Sequence, residues 1–164
     1  MPHCHMSGIG RIGYNRPIGA RPGSGTAAPA TQRNILSMIG IFLVTHGSLG
    51  EALIQCACHV LNKRPPHIVQ LGVSAQDDPL DLLPTARQML GWADAGHGVL
   101  LLTDIYGATP SNIATKLLEP GRVEGIAGVN LPMLLRVLTY REKDMPTLVQ
   151  RAISGGCDGV LHMK

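Results

Sequence analysis

The sequence predicts an α/β domain with a doubly wound, mainly parallel sheet and helices on both faces. Apolar segments of strand length alternate with helical segments along most of the chain, which is the pattern of βαβ units. The first apolar segment, residues 39–44, is an unbroken run without polar residues, as expected for a strand buried on both faces. Strands are therefore expected at 39–44, 67–73, 98–103, 123–129 and 159–163.

The length of the chain suits one compact domain and a tail. It has 164 residues, of which 45% are hydrophobic, and a chain of this size normally builds a single core. Residues 1–37 are rich in Gly and Pro, carry scattered Arg and lack a sustained apolar period, so a disordered N-terminal extension is predicted there. The folded domain is expected over 38–164.

Charge and composition exclude several classes of function. The net charge is +3, but five of the fourteen basic residues lie near the two ends, so the middle of the chain is close to neutral. Nucleic-acid binding is therefore not expected. No segment approaches the roughly 20 apolar residues of a membrane span, so membrane contact is expected only through a partner. The four cysteines lack Cys-x-x-Cys spacing and are interpreted as reduced thiols of a cytoplasmic protein.

The first helix is predicted from a capping pattern. Residues 48–51 (Ser-Leu-Gly-Glu) have the spacing of a capping box, and the helix is expected to end near Leu61. Its apolar face is expected to contain the residues at helical spacing, Leu49, Leu53, Cys56 and Val60.

Proline marks the start of the next three helices, because it is favoured in the first helical turn. They are expected to begin at residues 78–79, 109–110 and 131–132. Pro84 weakens the prediction that the second helix is continuous. A fifth helix is expected over 144–152, ended by Gly155-Gly156.

Polar residues that can do chemistry follow the first and third predicted strands. His46 lies directly after the first strand and just before a helix start, and Asp104 follows the third strand. In an open parallel sheet, ligands bind beyond the carboxyl ends of the strands. If the two strands are neighbours, their loops lie side by side.

His46 is the candidate nucleophile of this site. A neutral imidazole attacks phosphorus through one nitrogen while the other holds the ring proton, and a carboxylate that accepts this proton fixes the tautomer. Asp104 is the candidate carboxylate. Free N–H groups near Ser48, with the Thr109 hydroxyl and its local backbone, are suited to bind phosphoryl oxygens, helped by the positive end of a helix. No metal or other cofactor is expected.

Structural interpretations of the same residues stay open. A lone histidine at a strand end is more often a surface or core residue than a catalyst, and Asp104 could merely cap a loop. Thr109 could simply begin a helix. Ser111 and Asn112 are interpreted as first-turn residues.

The remaining histidines carry weaker signals. His3-Cys4-His5 could chelate a metal, but tetrahedral zinc needs a fourth ligand and a fixed geometry. The others have no evident acidic partner and are interpreted as structural or surface residues: His59, His67, His97 and His162.

Three segments of the chain carry a family resemblance. They are residues 41–47 (IFLVTHG), 101–112 (LLTDIYGATPSN) and 126–134 (IAGVNLPML). In this order and spacing they resemble the IIA component of the mannose family of bacterial phosphoenolpyruvate-dependent sugar phosphotransferase systems. The resemblance covers about 38–164 and leaves 1–37 unmatched.

The resemblance implies a phosphoryl carrier in sugar uptake or its regulation, and thus a phosphotransferase. His46 matches the histidine that accepts a phosphoryl group from the phosphocarrier HPr and passes it to a IIB component. Asp104 matches the acid that hydrogen-bonds this histidine, and Thr109 matches a hydroxyl residue near the phosphoryl group. The expected phosphoryl-binding residues are Gly47, Ser48, Gly107 and Ala108. Tyr106 and Asn130 are assigned to a partner-binding or active-site loop.

The resemblance also implies an assembly. Family members are commonly homodimers that exchange a C-terminal strand, which would be 159–163 here. Membrane contact would come only through permease partners.

Four other functions remain as alternatives. A regulatory phosphoprotein without its own permease would use the same fold. The dihydroxyacetone-kinase phosphotransfer subunit is also similar, but its second loop is usually Asp-Leu-Gly-Ser, unlike the loop that begins at Asp104 here. A histidine phosphatase needs arginines to clamp the phosphate, and Thr45 stands where Arg would be expected. A flavodoxin-like binding module would need a defined ligand pocket.

Overall fold

The computed structural model describes residues 38–164, and its centre is a parallel sheet of four strands. They are β1 (Gly40–His46), β2 (Ile68–Val73), β3 (Val99–Thr103) and β4 (Val123–Ala127). Their order in the sheet is β2-β1-β3-β4, and every pair is parallel. The first and third strands are neighbours, so the loops that follow them lie side by side.

Within residues 38–164, five helices cover the two faces of this sheet. They are α1 (Leu49–Leu61), α2 (Pro79–Ala93), α3 (Thr109–Thr115), α4 (Leu131–Tyr140) and α5 (Met145–Asp158). Helices α1, α4 and α5 pack on one face and α2 and α3 on the other. The doubly wound α/β fold that the sequence predicts is confirmed.

The apolar run of β1 explains its central position. Ile41 and Leu43 point into the core shared with α1, α4 and α5, whereas Phe42 and Val44 point into the core shared with α2 and α3. All four side chains are fully buried. A strand with apolar residues on both faces can only be stable between two helical layers.

The C-terminal end of the chain differs from the prediction. Helix α5 runs through Gly155-Gly156 to Asp158, and residues 159–163 form no strand. The two glycines are buried, and a Cβ at either would come within 2.7 Å of a side-chain atom of Arg136 or Met133 on α4. They therefore allow α4 and α5 to pack closely, which here outweighs the low helix propensity of glycine.

The predicted apolar face of α1 is also wrong. The helix buries Gly50, Ile54 and Ala57, one position along from the expected stripe, while Leu49 and Val60 are exposed. Gly50 and Ala57 face the sheet, and because they are small, the helix can approach the sheet closely.

Other features of the helices follow the sequence more closely. Asp78 caps α2 by accepting the N–H of Leu80, and α2 continues through Pro84.

Two predictions concern residues outside the described part of the chain. They are the disordered extension at 1–37 and the weak metal site at His3-Cys4-His5. Among residues 38–164, no helix combines the length and apolarity needed to cross a membrane.

Candidate phosphoryl-transfer site

His46 and Asp104 meet at the carboxyl ends of two paired strands. His46 is the last residue of β1, Asp104 directly follows β3, and Val44 lies opposite Thr103 in the register. Nδ1 of His46 lies 2.8 Å from Oδ2 of Asp104, and the same oxygen accepts the backbone N–H of His46 at 2.9 Å. The predicted approach of these two residues is thus present.

The carboxylate is held in its charged form. Burial alone would raise the pKa of Asp104, but hydrogen bonds from the backbone and ring of His46 and from the N–H of Ile105 outweigh it and lower the pKa. An ionised carboxylate only accepts hydrogen bonds, so Nδ1 of His46 carries the ring proton. The lone pair is then on Nε2.

The His46 ring is accessible, whereas its partner is shielded. The side chain of His46 is 51% exposed and that of Asp104 only 14%. Nε2 of His46 has no hydrogen-bond partner among residues 38–164. The pair therefore presents a nucleophilic nitrogen to solvent.

The turn from β1 into α1 is packed tightly on the sheet. Gly47 has a φ of 52° and donates its N–H to the carbonyl of Val73 at 2.9 Å. A Cβ at Gly72 on β2 would overlap the carbonyl oxygen of Gly47. The position of the residue after His46 therefore depends on the missing side chain of Gly72.

Gly72→Ala tests this close approach. The extra methyl group has to displace the Gly47 carbonyl, so we expect a loss of about 1–3 kcal/mol in the free energy of unfolding, measured in urea. Gly91→Ala is the matched control, because a Cβ there meets no tertiary neighbour within 4 Å among residues 38–164 and the site is an exposed helical position. It should stabilise by roughly 0.5–1 kcal/mol. Equal stability of Gly72→Ala and the parent would contradict the packing described.

The beginning of α1 leaves several N–H groups available. Among the first three residues of α1, only Gly50 has an acceptor for its N–H within residues 38–164, Oγ1 of Thr45 at 2.9 Å. The N–H groups of Ser48, Leu49 and Glu51 have none within the described part of the chain. Ser48 makes no side-chain capping bond, so the predicted capping box is wrong. Free donors at a positive helix end suit an anion.

The second loop is braced by Ser111. Its Oγ accepts the N–H of Gly107 at 2.9 Å and donates to the carbonyl of Ala108 at 2.9 Å. From the sequence alone, Ser111 is interpreted only as a first-turn residue. Its place in the first turn of α3 was the available signal, because such side chains reach back to the preceding loop.

Thr109 and Tyr106 lie in or beside the same loop. Thr109 is the first residue of α3, is half-buried and makes no side-chain hydrogen bond within residues 38–164. Tyr106 is 86% exposed and Ile105 is 57% exposed. The loop therefore offers large apolar side chains to solvent beside Asp104.

Asn130 serves the scaffold rather than the His46 ring. Its Oδ1 accepts the N–H of Met133 and caps α4, while Nδ2 donates to the carbonyl of Gly156 on α5. It bonds to neither His46 nor Asp104. Its loop lies at the same edge of the sheet, because Gly128 and Val129 donate their N–H groups to the carbonyl of Thr103.

Comparisons with known proteins agree with this geometry. A family model described as "PTS system fructose IIA component" matches residues 40–152. The fructose-specific EIIA component of Bacillus subtilis is 53% identical over 106 residues, which cover 64% of this chain and 72% of that protein. The mannose-specific EIIAB component of Escherichia coli K12 is 31% identical over 129 residues, 77% of this chain. The chain spans only 40% of that longer relative.

Solved structures show the same fold. The mannose/sorbose-specific IIA subunit from Enterococcus faecalis superposes with a TM-score of 0.69 at 20% identity, over 77% of this chain and 96% of that one. The EIIA component from Streptococcus agalactiae gives 0.67 at 22% identity, over 76% and 97%.

The family match, together with the shared fold, defines the class as an α/β IIA component of a sugar phosphotransferase system. The chain belongs to the mannose family of these components. The family predicted from the three sequence segments is confirmed.

Proposed function

We propose that His46 carries the phosphoryl group, accepting it on Nε2 from phospho-HPr and passing it to a IIB component during sugar uptake or its regulation. The observation that carries this proposal is the 2.8 Å contact between Nδ1 of His46 and Asp104, on a ring that is half-exposed. Because this contact occupies Nδ1, only Nε2 of the ring is able to attack phosphorus.

The transfer needs no proton to move. The lone pair of Nε2 forms a bond to phosphorus as the bond to the donor breaks, and that electron pair stays on the donor. The proton remains on Nδ1, so the phosphorylated ring becomes positively charged. Asp104 then lies against this charge as an ionised carboxylate, which stabilises the product and the transition state before it. The reverse attack by the next acceptor restores the neutral ring.

The two loops supply donors for the phosphoryl oxygens. We assign this role to the free N–H groups near Ser48 and to its hydroxyl, with Gly47 at the turn. On the second loop we assign it to the Thr109 hydroxyl and the N–H of Ala108, with Gly107 shaping the turn while its own N–H is bonded to Ser111.

Assembly and docking are further parts of the proposal. Ile105 and Tyr106, exposed beside Asp104, are suited to contact HPr or the IIB component. A homodimer that exchanges the C-terminal segment is supported by exposed apolar side chains after α5, at Val160, Leu161 and Met163. We place the protein in the cytoplasm and its membrane contact in a permease partner.

Transfer of label tests the proposed function directly. The protein is incubated with radiolabelled phosphoenolpyruvate, enzyme I and HPr, and its label is followed by gel and by mass spectrometry. We expect one phosphoryl group per chain, stable in base and labile in acid, on a peptide that contains His46. A chain that stays unlabelled while HPr is labelled would contradict the proposal.

A further inference from the structure

Thr45 is a fully buried polar residue beside the site that has no role in the step described above. It precedes His46 in β1, and its side chain is completely inaccessible to solvent. Its Oγ1 accepts the N–H of Gly50, in the first turn of α1, at 2.9 Å. A hydroxyl on a strand therefore occupies the place of the side chain that normally caps a helix.

We infer that Thr45 is a positioning residue for phosphoryl transfer, because its hydroxyl caps α1 from within the sheet and leaves the Ser48 side chain free beside His46. Ser48, at the N-cap of α1, makes no side-chain capping bond. With the cap supplied by Thr45, Ser48 stays exposed, and the N–H groups of Leu49 and Glu51 have no acceptor within residues 38–164. This inference rests on the proposed function of His46.

The packing around Gly50 shows why the cap comes from the strand. Gly50 is buried, and a Cβ there would lie 3.1 Å from Oγ1 of Thr45 and 3.2 Å from Cβ of Gln70. The helix start thus sits directly on β1 and β2. A hydrogen bond at this contact fixes the height of the first turn of α1 relative to His46.

The chain contains an internal comparison for this threonine. Thr103 precedes Asp104 in β3 as Thr45 precedes His46 in β1, and it too is buried, with 3% of its surface exposed. Its Oγ1, however, has no hydrogen-bond partner within residues 38–164. Replacing each threonine by valine therefore removes a hydroxyl of similar burial, but only one of them caps a helix.

The experiment compares Thr45→Val, Thr45→Ser and Thr103→Val in the full chain. Initial rates of labelling are measured over a range of phospho-HPr concentrations, and exchange of the Gly50 amide is followed by NMR. For Thr45→Val we expect a maximal rate about tenfold lower, the effect of losing roughly one hydrogen bond at the site. The concentration of phospho-HPr for half-maximal rate should change little, since the docking surface is intact.

The other variants distinguish a positioning role of Thr45 from a general loss of stability. Thr45→Ser keeps the oxygen and should restore the rate and the protection of the Gly50 amide. Thr103→Val should match the parent in both measurements. Thr45→Ala repeats the test without the added methyl group, in case the valine variant does not fold.

The experiment distinguishes a failure of the proposed function of His46 from a failure of the positioning role of Thr45. If the parent protein is not labelled on His46, the proposed function is wrong. If the parent is labelled, but folded Thr45→Val or Thr45→Ala transfers as fast as Thr103→Val, the proposed function stands and the positioning role of Thr45 is overturned.

Discussion

Replacement of His46 by alanine is expected to abolish labelling from phospho-HPr completely, with the fold unchanged. The ring is half-exposed and its only hydrogen bond within residues 38–164 is to Asp104, so its loss should lower the free energy of unfolding by only about 0.5–1.5 kcal/mol. The backbone N–H of residue 46 can still bond to the carboxylate. Label incorporation and a urea unfolding curve, measured on the same preparation, check both parts.

Two other exposed histidines provide the controls. His59 lies on α1 and His97 precedes β3, and neither has an acidic partner among residues 38–164. His59→Ala and His97→Ala should be labelled at the rate of the parent protein. Labelling of His46→Ala at the normal rate would refute the assignment of the phosphoryl group to His46.

The sequence predicts the four strands of the sheet but wrongly adds a fifth at 159–163, and β1 is the clearest of the four because it is almost wholly apolar. Its unbroken run of aliphatic and aromatic residues fits a strand covered on both faces, and the structure places it between β2 and β3. From that position the meeting of His46 and Asp104 follows, because the ends of neighbouring parallel strands share one edge. Residue order predicts the nearness of this pair only on the condition that β1 and β3 are neighbours, which the structure shows.

Features that depend on contacts between distant residues were not predictable. From the local sequence, the glycine pair in α5 predicts the end of a helix. In the structure the pair packs against Arg136 and Met133 on α4 and is part of a helix interface. Asn130 similarly bonds to Gly156, 26 residues away. Local rules describe helix propensity, whereas these positions are decided by tertiary packing.

The cap of α1 shows the same limit within a few residues. The Ser48 pattern fits a capping box, yet the acceptor is Thr45, which lies inside the preceding strand. A capping box is recognised from residues within the helix turn, so a cap supplied by the sheet escapes it. The shift of the buried face to Gly50, Ile54 and Ala57 has the same origin, since the helix start is set by its contact with β1 and β2.

The free energy of unfolding at acid pH should depend on the hydrogen-bonded pair of Asp104 and His46. The pKa of this carboxyl is lower in the folded protein than its ordinary value of 3.8. Its contribution to stability is therefore fully present above that value and is lost as the pH falls through the lower, folded pKa. The difference in unfolding free energy between the parent and Asp104→Asn should stay constant near neutral pH and shrink below about pH 4.

Asp104→Asn is expected to slow labelling of His46 by roughly tenfold to a hundredfold, the cost of losing a hydrogen bond to a charged ring. Both carboxylate oxygens accept N–H groups, Oδ2 from His46 and Oδ1 from Ile105, so either orientation of an amide sets its NH₂ against a donor. When the amide NH₂ faces the ring, it donates to Nδ1 and favours the tautomer whose proton is on Nε2. Nε2 then has no lone pair with which to attack phosphorus. Transfer kinetics and the ring ¹⁵N shifts of His46 measure rate and tautomer separately. Parent-like rates in a folded Asp104→Asn protein would remove Asp104 from the mechanism, whatever its effect on acid stability.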